Sequence, residues 1–225
     1  MQEPAATYSD YVADRLRADI LRGTLAPESR LAMKDLCERY EVGTSPIREA
    51  LHRLTGEGFV QFFGQRGFRV PPLSLDDLED LTDLRMLVDE AAIRQAIVRG
   101  GDAWDDGIVS AFHRLERQVG RFGSDDDGVI REYDAVHRQF HLALCAGVAS
   151  PRLVALQANL FDQAYRYRKL LHGEPISARQ ILAEHRGLMK LVLARDVEGA
   201  VKAVRARLQL TRGPVGRHLK RVAKG

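Results

Sequence analysis

The sequence predicts a mainly α protein in two parts: a small N-terminal unit whose helices lead into a β-hairpin, and then an all-helical bundle. Three observations predict it. Apolar residues recur at three- and four-residue intervals through almost every long segment. Two short helical patterns joined by a small-residue turn, residues 33–58, run into the one strand-like stretch, 59–70. Pro71-Pro72 closes that stretch, and from Ser74 onward every pattern is helical. At 225 residues the chain exceeds one small core, and we divide it at 1–73, 74–212 and a basic tail, 213–225.

The first helix spans 8–23, with Val12, Leu16, Ile20 and Leu21 on its apolar side and Gly23 at its end. In the next pair, Leu36, Cys37 and Tyr40 give one helix its apolar edge, Val42 fills the corner, and Gly43 releases the backbone into the turn. The second of the pair starts at Thr44-Ser45-Pro46. Thr44 or Ser45 caps it, and Pro46 fits a first turn in which its missing N–H is not needed. Ile47, Ala50, Leu51 and Leu54 form the buried stripe, which leaves Thr44, Ser45, Arg48, His52 and Arg53 facing out. Such a helix fits the major groove of DNA, where short hydroxyls and an Arg one turn later reach phosphates and base edges. Phe59 to Phe63 and Phe68 to Val70 then read as two strands about the turn Gly64-Gln65-Arg66-Gly67.

The order helix, helix, turn, helix, β-wing, together with Glu41-Val42-Gly43-Thr44-Ser45-Pro46-Ile47-Arg48-Glu49-Ala50-Leu51, resembles the winged helix-turn-helix of the GntR family of bacterial regulators. Two departures stand out: Gly43 where the family has Ser, and Thr44 where it has Arg. The resemblance implies that Lys34, Thr44, Ser45, Arg48, Gln65, Arg66 and Gly67 contact DNA. It also implies double-stranded operator DNA and a second copy of the chain as partners.

Charge locates rather than identifies. The net charge is +3 and the pI near 9.0, yet residues 1–73 hold ten Lys/Arg and ten Asp/Glu, so clustering on the groove-facing elements must carry DNA affinity. The excess sits at the far end, in Arg217, Lys220, Arg221 and Lys224, where Gly, Pro and charge predict a flexible tail. Two cysteines, Cys37 and Cys145, both on apolar helix faces, argue against a disulfide framework. With no secretory segment and no membrane span, the expected location is cytoplasmic.

Helices are predicted at 75–99, 103–122, 129–147, 151–172, 178–194 and 197–212, broken at 100–101, 123–125, 150–151, 173–175 and 196. Leu84-Arg85-Met86-Leu87, Phe140-His141 and Ala149-Ser150-Pro151-Arg152-Leu153 resemble the FCD ligand-binding domain of the FadR-type GntR branch. Within that branch, Leu-Phe-Asp at 160–162 and Leu-Ala-Arg-Asp at 193–196 look closest to the carbon-starvation-induced repressor group, which implies small dicarboxylate effectors.

Chemistry enters where polar residues interrupt apolar stripes. Ile130, Tyr133, His137, Phe140, His141 and Leu144 share one face, so two imidazoles stand one turn apart and can bind one metal. His185, among Ile181, Leu182, Leu188 and Met189, also points inward, and the FCD architecture would bring it to the pair. Three imidazoles suit zinc or another divalent transition metal. The FCD pattern normally has Asp where this chain has His137, and a last His where it has Arg207. Arg207 repels a cation and attracts a carboxylate, so an organic acid is the other occupant to weigh. Asp134 either adds a carboxylate or orients a histidine. The resemblance assigns Arg85 to the effector pocket, its alternative being a salt bridge to Asp89, and Arg168 is the inward member of its pair with Arg166.

Two classes of function compete. His137 and His141 superficially suit a metal-dependent hydrolase, but Arg138 stands where a zincin needs its Glu base, and no phosphate loop or nucleophile elbow accompanies them. The expectation is therefore not an enzyme. It is a ligand-responsive repressor released from its operator by a small mono- or dicarboxylate, with a metal-sensing regulator as the alternative use of the histidines.

Overall fold

A computed structural model describes residues 7–121, 127–171 and 178–222, with the backbone alone at 127–131, 178 and 222. The predicted breaks at 123–125 and 173–175, Lys224, and the side chain of Ile130 lie outside the described residues. The described chain forms two compact units, the first of the residues up to Ser74 together with Tyr165–Tyr167 and the second of the rest from Leu75 onward.

The first unit is built from α1 (Tyr8–Arg22), β1 (Arg30–Leu31), α2 (Met33–Tyr40), α3 (Thr44–Gly56), β2 (Gln61–Phe62) and β3 (Phe68–Arg69). Thr7 and Asp10 form a reciprocal capping box at the start of α1, and Gly23 ends that helix in the left-handed region, φ 75°. The predicted stripes close one core: Val12, Leu16 and Ile20 meet Leu36, Tyr40, Ile47, Leu51, Leu54, Phe59 and Phe68. Tyr40 donates its hydroxyl to buried Asp19 at 2.7 Å. Burial works against the ionised form of Asp19, yet the hydrogen bonds from Tyr40 and Arg22 outweigh it and hold the carboxyl below its usual range.

Two local expectations are corrected here. Neither Thr44 nor Ser45 caps α3: the N-cap is Gly43, extended at φ −71° and ψ 172°, and no side chain caps it. The left-handed residue of the turn is Glu41, φ 56°, rather than Gly43. Both hydroxyls thus sit on the exposed first turn with the helix's own N–H groups unclaimed by them. The wing is an antiparallel sheet ordered β1-β3-β2, with Phe62 opposite Phe68 and Leu31 opposite Phe68 on its other side. β1, only two residues long, carries no periodic signal and was not expected. The wing tip is a 3-10 turn, Gly64–Arg66, between Gly64 at φ 56° and Gly67 at φ 79°, conformations that a side chain would strain.

The second unit is helical throughout its described length: α4 (Leu75–Arg99), α5 (Asp102–Val119), α6 (Asp127–Cys145), α7 (Pro151–Arg168) with a 3-10 turn at Lys169–Leu171, α8 (Ala178–Leu193) and α9 (Val197–Val222). Its core joins Ile93, Ile97, Trp104, Phe112, Leu115, Phe140, Leu144, Leu188 and Val192. Gly100 is required at the first break because a Cβ there would fall 1.8 Å from the Trp104 ring. Gly147 is required because a Cβ would meet the Ala96 carbonyl oxygen at 2.9 Å, where α4 comes close.

The flexible tail at 213–225 is overturned as far as Val222. α9 continues through Gly213-Pro214, and Val215 is fully buried. Leu208, Val215 and Leu219 extend one apolar stripe past the proline, and a Cβ on Gly216 would rest 3.4 Å from Leu75. Burial of that stripe outweighs the backbone hydrogen bond that Pro214 forgoes. The bundle accordingly runs beyond the expected boundary at 212.

Candidate functional site: a reading face and an inward His/Arg cluster

In the first unit, Lys34, Thr44, Ser45, Arg48, Gln65 and Arg66 are exposed and Gly67 is half-buried in the wing turn. Among the described residues, Lys34, Arg48 and Arg66 make no ion pair. Arg53 differs: although exposed, it is tied to Asp10 and to Glu57 at 3.1 Å, so it braces α3 against α1 rather than standing ready for a ligand. His52, expected simply to face out, lies 5.5 Å from the Phe62 ring and 5.1 Å from Phe68. It thereby links α3 to the wing. The N-terminus of α3, with its uncapped N–H groups and the positive end of its dipole, attracts phosphate.

In the second unit, His137 and His141 of α6 and His185 of α8 are all buried, and one ring nitrogen from each lies within 4.8 Å of the others. His185 Nε2 stands 3.0 Å from His137 Nε2 and 3.3 Å from His141 Nε2. The Nδ1 of His185 lies 2.7 Å from the Ile181 carbonyl oxygen, to which it donates, so its Nε2 carries the lone pair. One lone pair cannot serve two N–H donors well, whereas three neutral imidazole nitrogens this close together suit a cation. Nitrogens about 3.0 to 3.4 Å apart are what bonds of about 2.0 to 2.1 Å at octahedral to tetrahedral angles produce. Burial and the neighbouring positive charges depress all three imidazoles, His185 to about 3, which leaves them neutral as ligation requires. The donor set fits a divalent transition metal. Asp134 is half-buried and outside the converging nitrogens.

Arginines surround this cluster. Arg85 of α4 is buried and pairs with Asp89 at 3.0 Å, so the ion-pair alternative is present, while its Nε and the Asp89 Oδ1 have no partner among the described residues. Arg168 of α7 lies over the Phe161 ring at 4.4 Å and Arg85 over the same ring at 5.3 Å. Phe161 also contacts His137 and His141, at 5.7 and 5.2 Å between ring centres. It is the hub that sequence reasoning missed; its neighbours in Leu-Phe-Asp were noted, but an apolar residue in an apolar stripe carries no further signal. Arg207 of α9 is half-buried, and its guanidinium makes no hydrogen bond or ion pair with the described residues. Burial and the charge of Arg85 push Arg168 down to about 9 and Arg207 to about 10, so both remain cationic at neutral pH under mutual repulsion.

Arg138, at the position a hydrolase would give to its base, is held by Asp162 through bonds of 2.6 and 2.8 Å. No described helix is long and apolar enough to cross a membrane.

Comparison with known proteins agrees with this arrangement. Residues 80–210 match the FCD domain model. The chain is 39% identical over 197 residues to BphR of Paraburkholderia xenovorans strain LB400, named an uncharacterized HTH-type transcriptional regulator, covering 87% of this chain and 80% of that one. It is 34% identical over 197 residues to the HTH-type transcriptional repressor GlaR of Escherichia coli K12, covering 86% and 89%. The structure of McbR/YncC from E. coli shares the fold, with a TM-score of 0.78 at 20% identity over 94% of this chain and 98% of that one. Residues 8–70 match the model of the bacterial regulatory proteins of the gntR family, and the chain, a transcriptional regulator rather than an enzyme, belongs to that family with an FCD domain at its C-terminal side.

Proposed function

We propose that this regulator is a cytoplasmic repressor that binds a two-fold symmetric operator as a homodimer and releases it when a small organic acid enters the FCD bundle. The observation that carries the reading is the inward cluster: Arg85, Arg168 and Arg207 surround three neutral histidines, and Arg207 makes no ion pair with the described residues. Such a group needs an anion. A planar carboxylate pairs bidentately with Arg207, and Arg85 offers its unmatched Nε to a second oxygen group. The likeness to a named repressor supports repression as the sense of control.

On the DNA side, Thr44, Ser45 and Arg48 read the major groove, Lys34 holds phosphate, and Gln65, Arg66 and Gly67 carry the wing to the backbone alongside. A divalent ion held by His137, His141 and His185 would supply a fixed positive charge with open coordination positions beside the arginines. The acid ties together α4, α6, α8 and α9, which carry Arg85, the His137/His141 pair, His185 and Arg207. Because α4 begins at Leu75, directly after the Pro71-Pro72-Leu73-Ser74 joint, a change in its axis has little slack in which to dissipate. Release requires only that the acid prefer the arrangement that does not bind DNA, with coupling of about 1 to 3 kcal/mol.

The test is footprinting of purified protein on the DNA upstream of its own gene, repeated with short mono- and dicarboxylates. Protection of a symmetric site that one acid abolishes is expected. Protection unaffected by any acid but abolished or created by zinc would favour the second reading, a metal-sensing regulator, for which the converging nitrogens are the observation.

A further inference from the structure

The helical end of α9 is a basic surface with no acid in it. Glu198 is the last acidic residue of the sequence, and residues 213–225 hold four cations, more than the net +3 of the whole chain. Residues 1–73 balance ten Lys/Arg with ten Asp/Glu, so the positive excess lies outside the part that reads DNA. That excess is held on a built helix. Val215 is fully buried, Gly216 is buried beside Leu75, and His218 and Leu219 are half-buried, which fixes Arg217, Lys220 and Arg221 on the exposed side of the same turns. Arg212, just before them, pairs with Glu79 and Asp83 at 3.3 and 3.4 Å. Arg217 and Lys220 make no ion pair among the described residues, and Arg221 approaches His218 at 3.3 Å.

Register locates these cations. α9 runs antiparallel to α4, with Glu198 against Arg94, Arg205 against Glu90, Arg212 against Asp83 and Gly216 against Leu75. Leu75 is the first residue of α4, so residues 217–222 extend about 9 Å past its start. They overhang the end of the bundle at which the joint Pro71-Pro72-Leu73-Ser74 enters, and a joint of that length reaches at most about 14 Å.

We propose that Arg217, Lys220 and Arg221 form a phosphate-binding surface for the duplex DNA that flanks the operator. The proposal rests on the DNA-binding reading above and adds a contact that reads no sequence. Cations grouped on one helix end without an acid among them complement a row of phosphates, and neutralising phosphates releases condensed counterions whatever the base pairs. A duplex held by the first unit is tethered through the joint to the same end of α4, so the second contact forms within the complex at the high effective concentration that a short linker gives. Charge would also suit an acidic protein, but DNA is the polyanion that the tether already brings, and the neutral first unit lacks the long-range attraction that this surface supplies.

Fluorescence anisotropy of the full chain tests this on two duplexes, the footprinted operator trimmed to its symmetric core and the same operator extended by about ten base pairs on each side. Arg217→Gln, Lys220→Gln and Arg221→Gln together should weaken binding to the extended duplex at least about tenfold near 0.1 M salt and lower the salt slope by about two to three per copy. Binding to the trimmed core should stay within about threefold of wild type. Lys220→Glu alone should weaken the extended complex in the same direction. Arg114→Gln, Arg117→Gln and Lys190→Gln together remove the same charge from exposed positions of α5 and α8 and should change neither complex. All six of these side chains are exposed, so melting of both triple variants should match that of wild type. Wild-type affinity and slope for the Arg217/Lys220/Arg221 variant on the extended duplex would overturn this surface and leave operator binding standing. An equal loss on the trimmed core, or in the α5/α8 variant, would overturn it too, because the effect would then be one of net charge or of fold. A wild-type protein that protects no DNA would overturn both readings.

Discussion

Replacing Arg48 by alanine separates reading of DNA from holding of the fold. Arg48 lies one turn after Thr44 on the exposed side of α3, opposite Ile47, Ala50, Leu51 and Leu54, and makes no ion pair with the described residues. Its truncation therefore removes no contact within the unit, and stability should change by less than about 0.5 kcal/mol. If Arg48 meets a base edge, each copy loses about 1 to 3 kcal/mol of binding, so a dimer would lose about thirtyfold to twenty-thousandfold in affinity. Arg53→Ala is the internal control. Its links to Asp10 and Glu57 are partly exposed, so losing them should cost under about 1 kcal/mol of stability, with operator affinity held within about threefold. Fluorescence anisotropy of labelled operator at fixed salt measures both, and repetition across salt concentrations distinguishes the contact type. A base contact leaves the salt slope almost unchanged, while a phosphate contact lowers it by about one per copy. Unchanged affinity for Arg48→Ala, or an equal loss for Arg53→Ala, would refute the assignment of the reading face.

Three further outcomes are expected. His141→Ala and His185→Ala should each reduce bound transition metal from near one equivalent to below about a tenth in elemental analysis of chelator-free protein, since a three-nitrogen centre tolerates losing one imidazole poorly. Arg207→Ala should lose the thermal stabilisation that short carboxylates confer on wild type, measured with and without chelator; equal stabilisation of both proteins would make Arg207 a structural residue. Tyr40→Phe should lower the stability of the first unit by about 1 to 2 kcal/mol near neutral pH in denaturant melts, because it strips buried Asp19 of its hydroxyl donor. Since the folded carboxyl lies below its usual range, that difference should be full above the unfolded aspartate value of about 4 and shrink as pH falls beneath it.

Residues that announce themselves by period were legible in the sequence. The stripes Ile47-Ala50-Leu51-Leu54 and Tyr133-His137-Phe140-His141-Leu144 placed α3 and α6, because burial of one helical face dictates the spacing. What escaped were effects of tertiary context. Val215 and Gly216 hold α9 together beyond Pro214 only because Leu75 and the bundle wait beside them. The two residues of β1 form a strand only because β3 passes alongside. Glu57 one turn after Arg53, with His52 one turn after Arg48, already separates the two arginines along the helix, and the fold adds Asp10 of α1 to Arg53 alone. Phe161 joins two arginines to two histidines through the third dimension, and no pattern along α7 records it.

The histidines and arginines of the bundle form one electrostatic unit, and on the proposed function a metal ion and an acid there would be linked rather than alternative occupants. Asp89 pairs with Arg85, half-buried Asp134 favours the charged form of Arg168, and Asp89 and Glu184 favour that of Arg207, which makes no ion pair with the described residues. A monocarboxylate would give Arg207 a direct partner. Any divalent ion among the imidazoles would add two further positive charges within the same low-dielectric interior, where opposite charges about 4 Å apart attract by about 4 kcal/mol before desolvation is counted. A dianion would offset part of that added charge. The FCD resemblance implies a histidine where this chain has Arg207, a fixed cation in place of a neutral ligand. Such an exchange would weaken the hold on metal, strengthen the hold on carboxylate, and make each dependent on the other, because an anion would screen Arg207 from the ion. By linkage the factor by which the acid raises metal affinity equals the factor by which metal raises acid affinity. On the proposed function, a metal-loaded form would therefore favour a dicarboxylate over a monocarboxylate, and thermal-shift titration of both acids with and without chelator measures that preference.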